Sequence, residues 1–309
     1  MKNNDLQEPN HFVSEWEKKE FVHAAEADFE IRLRAVASDI CADSTVRLIA
    51  LSGPTCSGKT TAANLLIEEL KRFGKNVHVV SIDDFYYNKD YLRERAEMDP
   101  TIDMDYDSID TIDFNALIQC VAAIFSEKKT YVDVPIFDFV SGKRTGYRSV
   151  TSTERDVFIF EGIQALYPEI SAEFEKYSSV SVHICAESGI LVADTHFEPN
   201  EIRLLRRIVR DYYYRATTPV DTMQMWKSVR ENEQKNIFPY VDRCRYRIDS
   251  TMSYEIGMLK PHLEKILCEV PPDSEFATLT HNIINKIQVV QPLSSRYLSE
   301  NSLYHEFVK

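Results

Sequence analysis

Apolar residues recur at helical spacing between positions 14 and 40, where Phe21, Ala24, Phe29, Leu33 and Val36 form a loose stripe. The run 46–52, VRLIALS, is instead apolar throughout most of its length and ends at a glycine, which predicts a buried parallel strand. A helix is expected over 59–73, with Ala62, Leu65, Leu66 and Leu70 on one side and Gly74 at the position of a C-cap glycine. Further strands are expected at 77–82, 157–160 and 180–185, and helices at 112–127, 200–215, 219–234, 254–267 and 275–288. Residues 131–149 suit a hairpin around Gly142 and Gly146, and the acidic stretch 90–110 suits a mobile loop.

This alternation of strands and helices predicts an α/β fold, a parallel sheet with helices on both faces. The expected organisation is an N-terminal helical arm (1–45) packed on the domain or on a second subunit, a central domain (46–270), and a C-terminal helix and tail (271–309).

Composition narrows the possible partners. With 36 Lys+Arg against 49 Asp+Glu, the net charge of -13 disfavours generic binding to nucleic acid or anionic lipid, so a bound anion needs a local device. The N-terminus lacks an apolar signal core, no apolar run approaches the length of a membrane span, and the six cysteines form no CxxC or Cys/His cluster. These features lead us to expect a cytoplasmic protein without a disulfide framework or zinc site.

The local device is residues 53–60, GPTCSGKT, a full match to GxxxxGK[ST] between an expected strand and an expected helix. In that context the backbone of Gly53, Pro54, Thr55, Cys56, Ser57 and Gly58, continuing through Lys59, Thr60 and Thr61, predicts a cradle for a nucleoside triphosphate. Lys59 supplies a point charge between the β- and γ-phosphates, and the Thr60 hydroxyl suits Mg²⁺. Two acids lie just beyond strand ends, Asp83 in SIDDFYY and Glu161 in FIFEG. A carboxylate there can take a proton from an attacking hydroxyl or hold a metal. Asp84 reads as a cap or turn acid and Asp156 as a strand-entry acid. Arg203, Arg206, Arg207 and Arg210 fall at i, i+3, i+4 and i+7, on one face of a helix. Four like charges call either for a phosphate ligand or for the chain's own carboxylates.

GPTCSGKT, SIDDFYYN, PIFDFVSGKR, FIFEGIQAL and RLLRRIVRDYYYR follow in the order found in the uridine kinase branch of the phosphoribulokinase/uridine kinase family. The resemblance spans about 46–260. The stretch from WKSVRENEQ to GMLKP, and the ending SENSLYHEF, also resemble a bacterial subgroup whose longer members carry an added N-terminal module. The resemblance implies a P-loop NTPase-type fold, a helical lid over 200–235, and transfer of the γ-phosphoryl group of ATP to the 5′-hydroxyl of a nucleoside, uridine or cytidine. It implies Asp83 as the base, Thr60 and Glu161 as Mg²⁺ ligands, and Arg207 and Arg210 on the phosphates. Asp107, Tyr86, Phe137, Arg144 and Arg207 would line the acceptor site. Its best-known members read the pyrimidine with a tyrosine and a histidine where this chain has Phe137 and Gly142, so hydrogen bonding from those two positions is lost. Two alternatives remain at this point: a kinase for another small alcohol (a sugar phosphate, pantothenate or glycerate), and an ATP-binding regulator without an acceptor. A homo-oligomer is compatible with either.

Overall fold

The computed structural model describes residues 5–9, 11–99, 108–126 and 130–308. Strand β1 (Leu6–Gln7) precedes the long helix α1 (Glu15–Ala42), whose first turn is capped by Ser14. β2 (Leu48–Ser52) leads through a loop into α2 (Lys59–Arg72). β3 (Asn76–Ser81) ends in a 3-10 turn, Ile82–Phe85, and α3 (Lys89–Met98) follows. Next come α4 (Phe114–Ile124), the hairpin of β4 (Thr130–Asp138) and β5 (Lys143–Ser152), and β6 (Asp156–Glu161). Helix α5 (Pro168–Phe174) leads to β7 (Ser179–Cys185) and to the short strands β8 (Ile190–Val192) and β9 (Thr195–Phe197). The remainder is α6 (Pro199–Arg215), α7 (Pro219–Asn236), α8 (Phe238–Val241), β10 (Tyr246–Asp249), α9 (Glu255–Leu267) and α10 (Ala277–Ile287).

The main sheet has five parallel strands in the order β10-β7-β2-β6-β3. Side chains alternate between its faces, so Ile49 and Leu51 of β2 join a core with α1, α2, α6 and α9, while Leu48 and Ala50 join Phe158 and Phe160 over α4 and α5. Burial of both faces is why β2 and β6 are so continuously apolar. No described helix is long and apolar enough to cross a membrane.

Several elements differ from the sequence expectation. Part of the expected loop 90–110 is helix α3, held by buried Leu92 and by Arg95 stacked over Tyr87 and Tyr91. β10 adds an unanticipated edge strand, because Tyr246–Asp249 is short and mixes polar with apolar residues. A second small sheet joins β1 to β8 and β9.

Helix α1 packs on α2 through Val22, Phe29, Leu33, Ala37 and Ile40, all buried in the core that holds β2, and Arg34 pairs with Glu69 of α2. Replacing Leu33 with Ala therefore opens a cavity beneath α2, the helix that follows the loop after β2, and a loss of about 3 kcal/mol in urea unfolding is expected. An unchanged midpoint would mean that α1 is an appendage.

Candidate active site

The strand registers bring the chemistry to one edge. Ser81 of β3 pairs with Glu161 of β6, which pairs in turn with Leu51 of β2. Asp83, Glu161 and the loop beginning at Gly53 thus leave the sheet side by side at its carboxyl end, where functional groups of such sheets gather.

The loop backbone is tightly prescribed. Gly58 has φ 80° and Cys56 has φ 56°, both left-handed, and a Cβ on Gly53 would collide with the carbonyl oxygen of Ile184. The first intrahelical bond of α2 runs from the Ala62 amide to the Gly58 carbonyl, so the amides of Lys59, Thr60 and Thr61 point out of the helix end. Lys59 Nζ donates to the Pro54 carbonyl at 3.4 Å, and the buried Ser57 Oγ has no hydrogen-bond partner among the described residues. Outward amides, a lysine and an orphan hydroxyl around one loop suit a polyphosphate. A Mg²⁺ ion carried by phosphates needs only one or two protein oxygens, and Thr60 and Glu161 are the expected pair. No cage of three or more His, Cys, Asp or Glu occurs among the described residues.

Asp83 has an unusual environment. Burial first, and the neighbouring Glu161 second, push its carboxyl up to about 6 against the opposing pull of Lys59. The Tyr86 side chain hydrogen-bonds to it, and Gln164 Nε2 donates to the Tyr86 hydroxyl at 2.7 Å. Glu161 is also raised by burial, with Lys59 opposing. Asp84 faces elsewhere and accepts the Phe137 amide at 3.2 Å, which ties the β4–β5 hairpin to the turn that carries Asp83.

On the acceptor side, the Tyr86 ring meets Phe137 edge-on at 5.5 Å and Phe139 at 5.9 Å. Gly142 is the left-handed residue of the hairpin turn, with φ 64°. Arg144 was expected at the substrate, but its guanidinium donates to the Phe85 carbonyl, the Tyr86 carbonyl and Asp113. That arrangement braces the backbone beneath Asp83 and Tyr86. Asp107 lies outside the described residues.

The arginine stripe divides. Arg203 is fully buried against Glu233, and Arg206 against Glu255. Arg207 and Arg210 share Asp211, and Arg210 also reaches Thr55 Oγ1 of the loop at 3.5 Å. For Arg203 and Arg206 the chain's own carboxylates therefore supply the compensation, while Arg210 turns toward the cradle. Sequence reasoning missed three further participants: Gln164 beneath Tyr86, Arg206 as a donor to the Cys56 carbonyl at 3.1 Å, and Glu306, which accepts from Thr61. Arg206 was visible only as one more charge in the stripe, and nothing local singles out the other two.

The family model described as "Phosphoribulokinase / Uridine kinase family" matches residues 48–256. Uridine-cytidine kinase C of Dictyostelium discoideum is 25% identical over 256 residues, covering 82% of this chain and 49% of its own. Uridine kinase of Schizosaccharomyces pombe is 29% identical over 201 residues, covering 64% of this chain and 39% of its own. The chain thus spans half or less of the length of these relatives. A solved structure of a possible uridine kinase from Bacillus stearothermophilus is 18% identical, covers 72% of this chain and 100% of its own, and superposes with a TM-score of 0.47.

The split in the stripe has a measurable counterpart. Replacing Arg206 with Met leaves Glu255 buried without its cation and is expected to cost about 3–5 kcal/mol in urea unfolding. Replacing Arg210 with Met removes one of three arginines around the buried Asp211 and leaves it Arg207 and Arg215, so a smaller cost of about 1–2 kcal/mol is expected. Equal losses would contradict the division.

Proposed function

The chain belongs to the phosphoribulokinase/uridine kinase family, and on that premise we propose that it transfers the γ-phosphoryl group of ATP to the 5′-hydroxyl of a nucleoside, with uridine and cytidine as the first candidates. The observation that carries this reading is Asp83: a carboxylate with a pKa of about 6, hydrogen-bonded to Tyr86, on the same sheet edge as Lys59 and Glu161. A group that titrates just below neutrality is mostly ionised at pH 7 and still basic enough to accept a hydroxyl proton. Tyr86, fixed by Gln164, aims that carboxylate, and Arg144 holds the backbone on which both residues sit.

Lys59 and the outward amides of α2 bind the phosphates, and Arg210, already at Thr55, adds charge to the transferred group together with Arg207. Thr60 and Glu161 would hold Mg²⁺ together with the phosphates, and the ion would supply neutralisation of the developing charge. Tyr86 and Phe137 are buried and back the exposed Phe139 ring, which offers an aromatic wall for a planar base. Phe137 brings no side-chain hydrogen bond to that wall and Gly142 is committed to the turn, which favours recognition by stacking.

The test is ADP release with Mg-ATP over ribonucleosides, deoxynucleosides, sugar phosphates, pantothenate and glycerate. Asp83→Asn is expected to keep ATP affinity and lose about 10²–10⁴-fold in turnover. Because the deprotonated carboxylate is the working form, wild-type turnover is expected to rise with pH through about 6 and then level off. Near-normal turnover by Asp83→Asn would remove the assigned base. Turnover with a non-nucleoside alcohol alone would replace the acceptor, and ATP binding without transfer to any acceptor would favour a regulator.

A further inference from the structure

The C-terminal segment lies on the phosphate cradle. Its 3-10 turn, Leu303–Glu306, sets the Leu303 side chain over Gly58, where a Cβ would strike it. Glu306 Oε1 accepts from the Thr61 amide at 2.6 Å and from Thr61 Oγ1 at 2.7 Å. Thr61 is the third residue of α2, so its amide is one of the outward donors that a polyphosphate would use. An anion already sits on that donor, and it belongs to the chain itself.

Tight packing surrounds this contact. Tyr304 and Phe307 are buried against the Arg206 guanidinium, the Tyr304 hydroxyl bonds Glu255, and the Tyr214 hydroxyl donates to the Val308 carbonyl at 3.2 Å. Glu306 itself is only partly buried, so rotation of its side chain would free the Thr61 donors while the turn stays in place. The carboxylate also acts on the rest of the site, raising Glu161 and stabilising the charge of Arg210.

We propose that Glu306 is an intramolecular competitor of the nucleotide: its carboxylate occupies the Thr61 donors, and a bound phosphate must displace it by side-chain rotation. The proposal rests on the reading of 53–61 as a nucleotide cradle. A contact formed about 10:1 over its open state lowers apparent affinity about tenfold. Negative charge on Glu306 also opposes any phosphate that shares its neighbourhood.

Calorimetric titration of the full chain with ADP and, separately, with pyrophosphate tests this, using wild type, Glu306→Gln and Glu306→Ala, with thermal unfolding as the check on folding. Both variants are expected to bind both anions about tenfold more tightly. Unchanged affinity, with or without a lowered Tm, would reduce Glu306 to a helix cap and overturn the proposal. Weaker binding by the variants would make Glu306 part of the nucleotide site and overturn it equally. Tighter pyrophosphate binding without ADP binding to any of the three proteins would uphold the anion competition while removing the nucleotide reading.

Discussion

The site is organised around one buried guanidinium. Arg206 spends five hydrogen bonds at once: Nε and Nη2 on the Glu255 carboxylate, Nη2 on the Ser250 carbonyl, and Nη1 on Ser250 Oγ and the Cys56 carbonyl. That is the full donor capacity of an arginine side chain. The rings of Tyr304 and Phe307 lie at 5.7 and 5.2 Å from it. One side chain therefore fixes α6, the entry to α9, the end of β10, the C-terminal segment and the middle of the loop at 53–58. The Cys56 carbonyl is a telling recipient, because Cys56 has a left-handed backbone that a non-glycine residue adopts at a cost. A buried cation that requires its carbonyl keeps the loop in that shape.

A second constraint is the concentration of negative charge at the sheet edge. Glu161 and Asp84 act on Asp83, and Asp84 and Glu306 act on Glu161, in a low-dielectric setting with Lys59 as a shared counter-charge. Such a cluster is costly for folding alone, and burial first, with the charge of Glu161 second, is what raises the Asp83 carboxyl. Arg148 and Arg144 hold the backbone around it through the Val79, Phe85 and Tyr86 carbonyls, so rigid scaffolding supports a strained electrostatic arrangement.

The parts of this arrangement that were legible in the sequence are those whose chemistry is local. GPTCSGKT carries its own turn glycines, lysine and hydroxyl, and the acids of SIDD and FEG follow directly from apolar strands. The alternation of strands and helices was equally open to reading, since burial of both faces forces continuous apolar runs. What escaped depends on distant partners. Arg206 looks like any exposed helical arginine until Glu255, 49 positions on, is seen beside it. Glu306 reaches Thr61 across 245 positions, and Tyr246–Asp249 becomes a strand only because β7 offers it an edge. Helix α3 has one buried apolar residue, too few to register as a periodic pattern.

The distance between the two halves of the cradle also bears on how it forms. During synthesis the loop at 53–58 and helix α2 emerge early, and strands β3, β6 and β7 can follow them into a sheet in chain order. Arg206 then waits for Glu255, and its aromatic neighbours at 304 and 307 arrive later still. Contacts of such long sequence separation are closed late and slowly. A nascent chain stopped before residue 303 would carry every motif residue of the described site while the loop lacked the cover that Leu303, Tyr304 and Glu306 supply, so the cradle is completed only once both distant halves have been made.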